Sequence, residues 1–162
     1  MTQSNAKSQM LCLRGSAALS QFRIEKIQKT LSEVCPNIQH LYAEFWHFIW
    51  LNQVASLTTQ QQVTLEQILT YGPSMQAEEP KGDYFLVLPR IGTISPWASR
   101  ATDIVQHCGL PEVQRVERGI AYYAQTKNGQ PLSEGERLAL LPLIHDRMTE
   151  GVFANLQDAE KL

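Results

Sequence analysis

The chemistry-bearing residues of this sequence concentrate between Pro89 and Ile104, which reads Pro-Arg-Ile-Gly-Thr-Ile-Ser-Pro-Trp-Ala-Ser-Arg-Ala-Thr-Asp-Ile. A strand is expected to end at Arg90, and Gly92 allows a tight backbone path. Ser95 is placed to cap a helix whose first position, Pro96, has no N–H to lose. The result is a helix N-terminus flanked by Arg90 and Arg100, with hydroxyls at Thr93, Ser95, Ser99 and Thr102. Such an end offers free N–H groups and the positive pole of the helix dipole, which favour an anion or a carboxylate. Capping signals are common, so residue types alone favour the plainer reading of a capped helix with Trp97 packed in the core.

Other constellations are weaker. A Ser95, His145, Asp146 triad can be drawn, but adjacent residues on a helix diverge, so Asp146 would not orient His145. The run His145-Asp146-Arg147-Met148 reads better as the polar edge of a helix with Met148 turned inward. Glu44 and His47 fall on opposite faces of an expected strand and read as separate packing or surface residues. The three cysteines, Cys12, Cys35 and Cys108, are odd in number and far apart, consistent with reduced structural thiols. The histidines are equally scattered, and only His107-Cys108 are neighbours, a poor ligand set; no metal site is expected. A phosphate-cradling glycine loop and a dinucleotide glycine pattern are both absent.

The elements that position these residues follow from periodicity. Gln9 to Arg14 is a short apolar run closed by Gly15 and suits a buried strand. Ile24, Ile27, Leu31 and Val34 recur at steps of three and four, which predicts a helix from Ser20 to Val34, stopped by Pro36. Ile38 to Leu51, rich in β-branched and aromatic residues, predicts a long strand. A second helix runs from an N-cap at about Thr58 to the stop at Gly72-Pro73. The order then starts again. Tyr84 to Arg90 predicts a strand, and Pro96 to Gly109 a helix with Trp97, Ala101, Ile104, Val105 and Cys108 on one face. Val113 to Thr126 predicts a long strand, and Ser133 to Gly151 a helix kinked or restarted at Pro142.

The repeat of strand, helix, long strand, helix, with an offset near 74 residues, predicts an internal duplication. The expected fold is α+β, with two pseudo-symmetric halves (about 9–72 and 83–151), antiparallel sheets and helices on one face. A half of this size exposes an apolar sheet face that it cannot bury alone, so the two halves should meet like a fused dimer. Residues 1–8 are expected to be disordered, Ser74 to Gly82 to link the halves, and 152–162 to begin a connection.

The whole chain of 162 residues suits one domain with a substantial core, since 43% of it is hydrophobic. Its 14 Lys and Arg against 16 Asp and Glu, a formal charge of −2, lack the basic excess that phosphate-backbone binding needs, so no nucleic-acid partner is expected. The densest apolar stretch, Phe45 to Leu51, is far below the roughly 20 residues of a membrane span. The polar start, with Lys7 its one charge before a short apolar patch, does not read as a secretory signal, and the cytoplasm is the expected location.

With these motifs in place, Gly92 to Ile104 followed by His107-Cys108-Gly109-Leu110 resembles a signature of the N-terminal domain of large, single-chain phosphoribosylformylglycinamidine synthase. Further stretches agree in the same order: Leu13-Arg14-Gly15 with Leu19-Ser20 and Phe22, Tyr42 to Phe45 with His47-Phe48, Val116-Glu117-Arg118-Gly119 through Tyr123, and His145 to Glu150. The resemblance spans about residues 10–153. The family usually carries proline where Ile91 stands, serine at Ala98 and lysine at Arg100.

The resemblance implies a PurS-like fused dimer. It also implies a parent enzyme that uses ATP and glutamine to amidate formylglycinamide ribonucleotide in de novo purine synthesis. Its glutaminase and its Mg- and ATP-dependent synthetase domains would lie outside this segment, and would be its partners within the same parent chain. The segment itself is then expected to be an assembly domain with no catalytic residue and no cofactor. Arg90, Thr93, Ser95, Trp97, Arg100 and Thr102 would face the synthetase domain on its substrate side, and the isolated domain would self-associate weakly. The alternative is a free-standing small-molecule sensor, or an adapter subunit of the PurS type.

Overall fold

The structure, a computed structural model, describes residues 9–52, 57–71 and 81–162, with Gln9 as backbone only. The expected disordered start, the Gly72-Pro73 stop and most of the expected Ser74 to Gly82 linker lie outside the described residues.

The element order is β1 (Gln9–Ala17), α1 (Gln21–Val34), β2 (Ile38–Leu51), α2 (Thr59–Ile68), β3 (Asp83–Pro89), α3 (Pro96–His107), β4 (Val113–Thr126), α4 (Glu134–Ile144) and β5 (Glu150–Phe153), followed by a terminal 3-10 helix, Leu156–Lys161. Each α-helix starts at a hydroxyl cap, namely Ser20, Thr58, Ser95 and Ser133, and Thr58 and Ser133 complete capping boxes with Gln61 and Glu136.

The strands of the described residues form one antiparallel sheet in the order β1-β2-β4-β3-β5, shared by the two halves that were expected to carry antiparallel sheets. Its centre is the β2–β4 ladder, which joins the halves. Ile38 and Val113, and Leu51 and Thr126, are 75 residues apart, and the residue pair Phe45 and Ile120, separated by the same offset, lie directly opposite each other. The pseudo-two-fold axis therefore passes between Phe45 and Ile120.

The four α-helices of the described residues cover one face of the sheet in two pairs. One apolar cluster joins Ile24 and Leu31 of α1 and Leu140 and Ile144 of α4 to Leu41, Phe85 and Tyr122 of the sheet. Another joins Leu65 of α2 and Val105 of α3 to Ile49, Leu51 and Val116. The opposite face carries Phe48, Leu86, Leu88 and Ala121, packed with Trp46, Trp50, Tyr84 and Tyr123 under the terminal 3-10 helix, whose Ala159 is fully buried. With both faces covered, β2 loses the usual in-out alternation and is buried along most of its length.

Several boundaries differ from the periodic reading, among them the ends of β1 and of the last helix. β1 continues past Gly15 to Ala17, through an irregular register between Arg14 and Ala17. The last helix ends at Ile144 rather than Gly151. There the Asp146 side chain accepts from the Met148 N–H at 2.8 Å, and Glu150 Oε1 accepts from the Asp146 N–H at 2.9 Å. These local bonds compete with further helix. Met148 consequently faces solvent, 78% exposed, rather than the core. Residues from Glu150 onward then form β5 on the edge of β3, and the 3-10 helix on the sheet.

Candidate functional site

The β3–α3 loop is built by exhaustion of strand pairing followed by a cap. Pairing of β3 with β4 ends at Val87 and Ile120, and Pro89 lacks a ladder donor. The chain then turns at Gly92, where φ is +85°, closed by bonds from the Thr93 N–H (3.2 Å) and Thr93 Oγ1 (2.6 Å) to the Arg90 carbonyl. Ser95 Oγ accepts from the Ala98 N–H at 3.0 Å and donates to Glu117 Oε1 at 2.9 Å. Arg115 bridges the loop to the sheet, donating from Nη2 to the Thr93 carbonyl and to Glu117 Oε2, both at 3.2 Å.

Glu117 is thus a buried carboxylate held by Ser95, Arg115 and the Arg118 N–H. The helix N-terminus does sit beside an anion, and the chain itself supplies it. Thr102 is also engaged internally, since its Oγ1 donates to the Ala98 carbonyl at 2.7 Å and accepts from the Val116 N–H at 3.0 Å, tying α3 to β4. Arg90 and Arg100 remain exposed. Arg90 is anchored through its backbone N–H to the Thr149 carbonyl at 3.0 Å, while Arg100 borders a shallow pocket of about 180 Å³ with Tyr71, Trp97 and Ile104.

Trp97 belongs to a second group, which lies on the sheet between the two helix pairs and close to the pseudo-two-fold axis. His47 and Arg118, opposite each other on β2 and β4, meet Phe45, Tyr71 and Trp97 there. The Arg118 guanidinium lies 4.7 Å from the Phe45 ring centre and 4.6 Å from that of Trp97, and Nη1 donates to Tyr71 Oη at 3.4 Å. With Arg118 donating to Tyr71 Oη, the phenol's own proton is free to go to His47 Nε2, 2.6 Å away. His47 then accepts at Nε2 and is neutral. Burial first, and the Arg118 charge second, push its pKa down to about 4. Burial also raises the Tyr71 pKa, which keeps its proton in place.

A cleft of about 600 Å³ opens on the His47 side, lined by Arg14, Ser16, Glu66 and Thr70, and one of about 290 Å³ opens beside Arg118, Ser95 and Thr149. On the far face, fully buried Glu44 accepts from Arg14 Nε at 2.7 Å, Trp46 Nε1 at 3.0 Å and Tyr42 Oη at 3.1 Å.

The structure brings Thr93 and Ser95 together around Glu117, leaves Arg90 and Arg100 on the surface, and turns Trp97 toward His47 and Arg118. Sequence reasoning did not connect Glu44, His47, Tyr71, Glu117 and Arg118 with these roles. The available signal was the occurrence of acids, a histidine and an arginine inside the apolar runs of two long strands, where a charge must find a partner. Among the described residues no group of three or more His, Cys, Asp or Glu is placed to hold a metal ion, and no helix is long and apolar enough to cross a membrane. Compared with known families, residues 44–162 match the family described as formylglycinamide ribonucleotide amidotransferase N-terminal.

Proposed function

Because this chain belongs to the formylglycinamide ribonucleotide amidotransferase N-terminal family, we propose that it serves as a non-catalytic assembly domain for the synthetase and glutaminase parts of that enzyme. The enzyme's reaction joins ammonia from glutamine to formylglycinamide ribonucleotide at the expense of ATP, in the cytoplasm. Mg and ATP are assigned to the synthetase part, and the β3–α3 loop, with Arg90 and Arg100 outward, faces that part.

The observation that carries this reading is the internal saturation of the buried ionisable groups. Glu44 and Glu117 each hold three donors, and His47 is locked neutral against Tyr71. None of them is poised to exchange a proton with a substrate. Thr93, Ser95 and Thr102 likewise direct their hydroxyls to the chain itself, so they shape the loop while the arginines present charge.

The test is an assay of the purified chain for glutamine-dependent amidation and ATP hydrolysis. No turnover above background is expected, and turnover at enzyme-like rates overturns the division of labour. A sensor reading is favoured by the cleft of about 600 Å³ beside Arg14, Ser16 and His47. Calorimetric titration with purine-pathway metabolites and amino acids distinguishes it, since micromolar binding to the isolated chain supports the sensor.

A further inference from the structure

Eight large apolar side chains are exposed among the described residues, and five of them, Phe22, Val34, Val63, Ile104 and Leu138, sit on helices. The other three lie on two neighbouring loops. Ile91 and Ile94, 52% and 65% exposed, ride the β3–α3 loop, and Met148, 78% exposed, rides the α4–β5 turn. The two segments are joined by the Arg90 N–H to the Thr149 carbonyl at 3.0 Å, and the Arg90 guanidinium reaches toward the Met148 carbonyl at 3.5 Å.

This tip is rigid from below. Arg115 and Glu117 grip Thr93 and Ser95, and Asp146 and Glu150 bind backbone amides of the second turn. Apolar side chains on a preorganised surface lose little freedom on docking, which is the property of an anchor rather than of a loose loop. Trp97 by contrast is half-buried and already packed inside the domain.

Charge defines the partner. Arg90 and Arg147 flank the tip and form no ion pair among the described residues, whereas Asp146 and Glu150 are folded onto amides. The two outward guanidinium groups favour a surface bearing acids around an apolar pocket, and the match to the N-terminal part of a larger amidotransferase points to the remainder of that enzyme as its bearer.

We propose that Ile91, Ile94 and Met148 form a two-loop anchor that inserts into an acid-rimmed apolar pocket on the synthetase part of the amidotransferase. The inference rests on the assembly-domain reading above and names the surface that docks. The α4–β5 turn thereby becomes part of the interface together with the β3–α3 loop. Arg90 and Arg147 supply its salt-sensitive rim.

Met148 is its own probe, because peroxide converts an accessible thioether to the sulfoxide. In the intact amidotransferase carrying this domain, Met148 oxidation should be about tenfold slower or more than in the 162-residue chain alone, since reactivity follows exposure. Ile94→Asp in the intact enzyme should restore fast oxidation of Met148, and Ile94→Val should not. Equal oxidation rates, with hydrogen exchange slowed on another surface of the domain, overturn the anchor and leave the assembly reading standing. Equal rates with no surface protected overturn both. Sedimentation of the isolated chain with anionic vesicles, abolished by Ile94→Asp, overturns the proposed occupant.

Discussion

His47 shows how a single position changes meaning between sequence and structure. In the run Phe45 to Leu51 it reads as a separate packing or surface residue, and it is in fact 1% exposed. What no spacing reveals is that Gly15 lets β1 pass against it, since a Cβ there would lie 2.9 Å from His47 Cε1, and that Tyr71 and Arg118 fix its proton. A His that ordinarily titrates near 6.5 is held at about 4. Between those values the unfolded chain binds the additional proton, so stability rises with pH. This contribution is complete above pH 6.5 and is lost as pH falls toward 4, on the order of 3 kcal/mol. Urea melts at pH 7.5 and pH 5 should separate by about 2 kcal/mol of this in the native chain and by clearly less in His47→Gln. A His47 imidazole that titrates near 6.5 by NMR in the folded protein would refute the argument.

At the scale of elements, the β3–α3 loop was the most legible part of the molecule, because its signals are local. Gly92 adopts positive φ, Ser95 caps α3, and Pro96 occupies the first helical turn. The capping side chain was legible; its second partner, Glu117, comes from 22 residues away and was not. The end of α4 is hidden from local reading for a related reason, since apolar spacing continues through Met148 while Asp146 and Glu150 divert the backbone. Two glycines separate local strain from steric conflict. A Cβ on Gly92 meets nothing within 4 Å, so Gly92→Ala should cost only the strain of its positive φ, about 1–2 kcal/mol. Gly82 combines a φ of +100° with a Cβ position driven into the Ala124 carbonyl, so Gly82→Ala should cost about 3 kcal/mol or more. Denaturant midpoints for the two variants check the order, and equal losses would contradict it.

For the whole molecule, the central β2–β4 ladder is also the junction of the two halves, so neither half owns a complete sheet. A chain limited to residues 83–162 would expose the inner edge of β4 along its length. It should therefore lack the cooperative thermal transition of the full chain and tend to associate; a sharp monomeric melt by circular dichroism would show the halves to be independent. The duplication itself was readable, because strand and helix periods repeat along the chain and depend only on neighbours in sequence. So were the helix caps, the family resemblance and the covering of one sheet face by helices. The merging of both halves into one sheet, the burial of Glu44 and Glu117 with their donors, the neutral His47 between Tyr71 and Arg118, and the exposure of Met148 were decided by the tertiary structure. Each depends on groups far apart in the chain, and a buried charge or an outward side chain is defined by what surrounds it, which local periodicity does not encode.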